Sequence, residues 1–198
     1  MKKIITLILL SSIFILNSCS ALFPSTKPLK VGDVVISQID KDAIIEKTDN
    51  SYADIIKKLK KKDILIVFDG VFVGNDSSKF VGYKKANLNA RKQLEEYLNS
   101  RKEIITTKVN NYMEKLNNKD SIIIEKIINL ISKNSLISAK EVAKYYVVKD
   151  NNIEYHSVIV YDPLMIINTI EKSPILNYVE KAGGQSKELI DLLYESLK

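Results

Sequence analysis

Apolar positions recur at helical spacing through the middle of the chain. Ala86, Ala90, Leu94, Tyr97, Leu98, Ile105, Val109, Tyr112, Met113 and Leu116 line one face of a helix that opens near Tyr83. Unbroken to Leu116 it would extend about 50 Å at 1.5 Å per residue. That is long for a small domain, so a kink or a projecting end is expected. Asn117-Asn118-Lys119-Asp120 interrupts the pattern, and Asp120 or Ser121 is placed to cap a second helix through Ile131. A shorter helix opens earlier, at Ser51. Ser51-Tyr52-Ala53-Asp54 has the spacing of a capping box with Asp in place of Glu, and Tyr52, Ile55, Ile56 and Leu59 fall on one side. Lys57, Lys58, Lys60, Lys61 and Lys62 end it, either as a solvated terminus that complements the helix dipole or as a patch for lipid or another polyanion.

Between and after these helices the period changes. Asp63 to Val73 is almost continuously apolar, as a strand buried on both faces would be, and its interior Gly70 predicts a bulge. Gly74 to Ser78 reads as a loop. Val142–Lys149 and Ile153–Tyr161 flank Asp150-Asn151-Asn152, the composition of an antiparallel hairpin. Ser173-Pro174 is expected to act as an N-cap followed by proline at the first helical position, with Gly183-Gly184 ending that segment. Leu189, Ile190, Leu192, Leu193 and Leu197 form a last amphipathic set. Ahead of all of these, Val31 to Ile39 gives only a weak strand pattern. The order predicts an α+β fold, a small antiparallel sheet of about three strands packed by the long helix, with a helical C-terminal tail.

The first residues follow another logic. Met1-Lys2-Lys3 precedes an apolar run, Ile4 to Leu16, interrupted only by Thr6, Ser11 and Ser12. A spanning helix needs about 20 apolar residues, so the run reads as a secretory signal to be set apart from the fold. It closes on Leu16-Asn17-Ser18-Cys19, which contains the only cysteine of the chain. That tetrad resembles the lipobox of bacterial lipoproteins, in which the cysteine is acylated and becomes the first mature residue; an ordinary signal peptide with an incidental cysteine is the alternative. The resemblance implies residues 1–18 as signal and Cys19 as the lipidation site; composition and periodicity then give 19–50 as a tether with one short strand, and 51–198 as an α+β domain with a helical extension. Two or more acyl chains hold a protein on a membrane stably where one does so only marginally.

Charge changes little in this picture. The chain carries 30 Lys and Arg against 24 Asp and Glu, a net +6. Loss of residues 1–18 removes Lys2 and Lys3 and leaves +4. A mildly basic surface suits anionic lipid head groups or cell-wall polymer, while export argues against nucleic acid as a partner. With its one thiol acylated the mature chain forms no disulfide, so packing must supply its stability.

Two stretches together resemble a known group. Val73-Gly74, followed after a loop by Ala86-x-x-x-Ala90-Arg91-x-x-Leu94, resembles the opening of the twenty-kilodalton bacterial lipoprotein (Lpp-twenty) family. The hairpin ending Tyr155-His156-Ser157-Val158-Ile159-Val160-Tyr161-Asp162, with the amphipathic helix after it, is similar to that family's closing part. The resemblance covers roughly Asp63 to Ile170 and implies an outer-membrane lipoprotein. Read physically, alanines four residues apart let the helix lie close to the sheet, and Arg91 reaches a carboxylate or carbonyl at its edge.

Candidate chemistry is sparse. His156, the only histidine, shares a strand face with Glu154, Val158 and Val160, whereas Ser157 points the opposite way. A Ser-His-acid arrangement would need both partners from elsewhere, and His156 is expected at the surface or a sheet edge. Asp69, Asn75 and Asp76 offer oxygens without the spacing of a calcium loop. Glu95-Glu96 sits on a helix surface. Tyr145, Tyr146, Tyr155 and Tyr161 cluster on the hairpin, as strand formers or as a recognition surface. No catalytic, cofactor or metal residue is expected. The sequence thus reads as a non-enzymatic envelope lipoprotein, anchored at Cys19 to a bacterial membrane, the outer one, and acting in structure or assembly with an envelope protein or with itself. A surface-exposed binding lipoprotein, such as an adhesin, is the alternative, and no small-molecule substrate is evident.

Overall fold

Strands β1 (Thr26–Val31) and β2 (Val34–Asp40) pair antiparallel around Gly32-Asp33, where Gly32 takes φ +60°. These coordinates belong to a computed structural model that describes residues 25–74, 78–116, 121–134 and 137–198. Cys19 and the signal segment lie outside the described residues, as do Asn75 and Asp76. The stretch read as a tether with one weak strand therefore carries three strands, since β3 (Ile44–Thr48) follows the hairpin directly.

β3 belongs to the main sheet. With β4 (Ile66–Gly74), β5 (Ala139–Lys149) and β6 (Asn152–Tyr161) it forms a four-stranded antiparallel sheet in the order β3-β5-β6-β4. The sheet is thus wider than the three strands expected, and a second, two-stranded sheet accompanies it. The β5–β6 hairpin sits where its composition placed it, with Asp150 at φ +50° in the turn.

Helix α1 (Ala53–Lys61) starts one residue later than its sequence suggested and is led in by a 3-10 turn. Asp49 caps that turn, Asn50–Tyr52: its Oδ1 accepts from the Ser51 amide at 3.1 Å and from Ser51 Oγ at 2.5 Å, while Tyr52, not Ser51, stands at the cap position of α1. α1 and the β1–β2 hairpin cover one face of the main sheet. Leu29, Val31, Ile39, Ile56 and Leu59 meet Val142, Tyr145, Val147, Val158 and Val160 there.

The long helix, α2 (Lys79–Lys115), covers the other face. It runs 37 residues from a Ser78 cap, about 55 Å. Ala86, Ala90 and Leu94 are buried against Phe68, Phe72, Tyr155 and Ile159, as the alanine spacing implied. Its distal half does not project. Ile105, Val109, Tyr112 and Met113 are enclosed by α3 (Ser121–Asn134), α4 (Pro163–Glu171), α5 (Ile175–Lys181) and α6 (Ser186–Ser196). Each such side chain contributes about 1.5–3 kcal/mol on leaving water, which is how a helix of this length is held in a small fold. α5 ends at Lys181 with Ala182 as its C-cap, and Gly183 follows at φ +83° to turn the chain away, as its diglycine implied. Ser173 Oγ accepts from the Ile175 amide at 3.3 Å, while Pro174 stands at the cap position and not one residue inside.

Gly70 is not a bulge. β4 pairs with β6 without a register shift from Ile66 to Gly74. A Cβ at Gly70 would strike the Ala86 carbonyl and the Ala90 backbone, so glycine is needed because α2 crosses β4 backbone to backbone. Gly82 plays the same part against the Tyr155 ring.

Candidate functional site

Strand β5 does contain a bulge, and the most elaborate polar cluster of the domain is built on it. Glu141 pairs with Ile159, but Ala143 pairs with Val158, so one extra residue enters β5. In a regular strand, residues three apart point to opposite faces. The bulge turns Glu141 and Lys144 to the same face, towards α2. Lys144 Nζ then lies 3.0 Å from Glu141 Oε1. Glu141 Oε2 accepts from Asn87 Nδ2 at 2.6 Å and from Ser157 Oγ at 2.7 Å. Asn87 Nδ2 also reaches Ser157 Oγ at 3.0 Å, and Asn87 Oδ1 accepts from Arg91 Nε at 2.9 Å. One carboxylate thus holds β5, β6 and α2 together through charge-assisted bonds, which are about twice as strong as neutral ones.

The cluster forms the floor of a groove of about 700 Å³ between the β3–β5 half of the sheet and the first turns of α2. α2 overlies β4 and β6 and leaves this shoulder open. Lys47, Lys79, Lys84, Arg91 and Lys144 line the groove against only Glu46 and Glu141. Lys79 is paired with Glu46 and stands over the Tyr146 ring at 4.6 Å; Lys144 stands 5.7 Å from the Tyr83 ring. Burial, followed by the charge of Glu46, pushes the Tyr83 phenol well above its usual range. Leu88 adds an exposed apolar wall. Because Glu141 is saturated by internal donors, the groove presents net positive charge and a guanidinium oriented through its Nε. That chemistry recognises carboxylates or phosphates. Ser157 is no nucleophile in this setting: it is fully buried beneath Asn87, out of reach of a substrate.

His156 departs from expectation. It lies on the central strand β6, buried, and not at a surface or sheet edge. Its ring stacks on Tyr145 at 4.2 Å, Nδ1 lies 3.1 Å from Asp69 Oδ2, and Tyr145 Oη donates to the same oxygen at 2.5 Å. Burial, reinforced by this bond to Asp69, drives the Tyr145 phenol far above its usual pKa. Ser157 faces away as its alternation implied. The nearest carboxylate to His156 Nε2 is Glu154 at 3.9 Å. The cluster is an acid-histidine pair clamped by an aromatic ring, an arrangement that ties β4, β5 and β6.

The other singled-out residues are dispersed. Tyr145, Tyr155 and Tyr161 are buried, which leaves only Tyr146 of the four partly open. Glu95 and Glu96 are exposed on α2. The α1 lysines engage separate neighbours: Lys57 faces Asp33 at 3.6 Å, and Lys60 Nζ donates to the Val35 carbonyl at 3.1 Å. Arg91 meets a side-chain carbonyl, that of Asn87. Glu141, Asn87 and Ser157 had no local signal in the sequence, since only the bulge and the α2 crossing bring them together. Among the described residues, no group of three or more His, Cys, Asp or Glu is placed to hold a metal ion.

The fold is α+β, two antiparallel sheets with helices on the larger one. Comparison with known protein families, with curated proteins and with solved structures finds no match to this chain.

Proposed function

We propose that this chain is a lipid-anchored protein of a bacterial envelope, and that its domain works by docking an acidic partner, not by catalysis. The observation that carries the reading is the open, net-positive groove whose one floor carboxylate is already saturated. Such a surface binds anionic groups, while Glu141 and Ser157 are engaged with each other and with Asn87. Cys19 supplies the anchor, with the outer membrane as its site. β1 begins at Thr26, so Ser20 to Ser25 separate anchor and fold, at most about 20 Å of extended chain. Kinship with the Lpp-twenty lipoproteins belongs to the same proposal: the strand ending in Gly74, the long helix and the closing hairpin stand in the order that resemblance implies.

The test is photo-crosslinking in intact cells from a reactive residue placed at Lys84, with and without Arg91→Glu. One defined envelope protein should be captured, and the Arg91→Glu chain should lose it while staying folded. Capture unaffected by Arg91→Glu, or none, removes the docking role. Cys19→Ser should separately release the protein from the membrane fraction, and retention without lipid labelling would remove the anchor.

A further inference from the structure

We infer that the end of the domain formed by the β5–β6 turn and the start of α2 is a membrane-contacting tip, seated at the boundary between lipid head groups and acyl chains. This goes beyond the docking role and rests only on the acylation of Cys19. The strand register defines cross-sheet rows at this end. Ile45, Tyr145, His156 and Val71 form one, and Ile44, Tyr146, Tyr155 and Phe72 the next on the opposite face. Both edges of these rows are open: Ile44, Ile45 and Val71 are exposed. Beyond them Val73 is 51% exposed and Val148 58%. Gly82 lies on the Tyr155 ring, so the preceding turn of α2 overhangs the same end and carries Phe80, 76% exposed. Exposed apolar side chains from β3, β4, β5 and α2 therefore converge on one end of the molecule. Clustered apolar exposure of this kind marks a contact surface with protein or membrane.

Where the chain arrives decides between the two. Ser25 accepts from the Lys41 amide at 3.1 Å, Thr26 pairs with Asp40, and Lys27 Nζ reaches the Ala43 carbonyl at 2.5 Å, immediately before β3 starts. The segment leading back to Cys19 thus leaves from the apolar end. With Ser20 to Ser25 as the whole span, about 20 Å when extended, an acylated Cys19 draws this end towards the bilayer. Charge at the tip is mixed. Lys41, Lys85 and Lys149 stand among Asp40, Asp42, Asp150 and Glu154. Lys85 lies over the Phe72 ring at 4.4 Å, the posture of a lysine whose stem follows apolar surface while its ammonium seeks head groups. Apolar insertion, and not a basic field, then provides the contact.

The acylated full-length protein can report on this directly. Acylation blocks the thiol of Cys19, so Val73→Cys, Val148→Cys and Ile137→Cys each offer one site for an environment-sensitive fluorophore. Ile137 is 66% exposed and precedes β5 at the opposite end of the sheet. In vesicles of phosphatidylethanolamine and phosphatidylglycerol, labels at 73 and 148 should shift to the blue and lose fluorescence to shallow spin-labelled lipids. The label at 137 should do neither. Phe80→Asp should diminish quenching at 148 while the protein still floats with the vesicles. Labels at 73 and 148 that match 137 on floating protein overturn the tip. Blue-shifted labels that lipid spin probes do not quench place a second copy there and overturn it equally. A chain with no acyl mass on Cys19 that stays off the vesicles overturns the anchor, and the tip falls with it.

Discussion

Asp162 closes β6 and opens α4 with one carboxylate, whose Oδ1 accepts from the Leu164 amide at 3.0 Å. Burial raises its pKa above 3.8, although the Leu164 amide works against the rise. A carboxyl raised in the folded state ionises more readily in the unfolded chain. Its penalty is therefore absent below 3.8 and grows as pH climbs through the raised folded value. Asp162→Asn keeps an acceptor for the cap and carries no charge. Thermal melts across that range should show the wild type losing more stability than Asp162→Asn as pH rises to neutrality; parallel curves would mean that the carboxylate is well solvated. His156 shows how limited single-residue legibility was. Alternation placed its face correctly, yet burial depended on Tyr145 and Asp69, partners from two other strands that no local pattern announces.

The contact between α2 and β4 seats the long helix on its face of the main sheet. Because the Gly70 Cβ would meet backbone and not a movable side chain, Gly70→Ala must push the helix away. It should cost at least as much as Ala90→Leu, an overpacking of about 1–3 kcal/mol, measured by denaturant unfolding. An unchanged midpoint for Gly70→Ala would refute the close crossing. α2 also guards an edge. Asn89 Nδ2 donates to the Val71 carbonyl at 2.7 Å and Gln93 Nε2 to the Asp69 carbonyl at 3.2 Å, which covers a strand edge that would otherwise invite pairing with another chain. Asn89→Ala with Gln93→Ala should raise self-association in light scattering before it lowers the melting temperature much. The long helix and the β5–β6 hairpin were readable because each repeats one period over many residues. β3 was not: it is short, largely exposed on both faces and bulged between Ile45 and Lys47, so it has no alternation to read. Gly70 misled because a bulge and a close helix crossing select the same residue.

At the scale of the molecule, the proposed anchor and the groove lie at opposite ends of legibility. Cys19 and its apolar run are contiguous and announce themselves. Glu141, Asn87 and Ser157 join through a bulge and a helix crossing far apart in sequence, so their meeting is a property of the tertiary structure alone. The strand order has a further consequence, one of timing. β3 and β4, made early, occupy the two edges of the sheet, and each pairs only with β5 or β6, which are made late. During synthesis the β1–β2 hairpin can pair locally, but β3 and β4 have no sheet to join, because the central strands do not yet exist. Non-local pairing of this kind also folds slowly. A chain halted before Ala139 should lack the four-stranded sheet, and should leave the amides of β4 unprotected against hydrogen exchange. Protected β4 amides in that fragment would mean that another pairing substitutes. A protein that cannot close its main sheet until β5 and β6 have been made stays threadable for most of its synthesis.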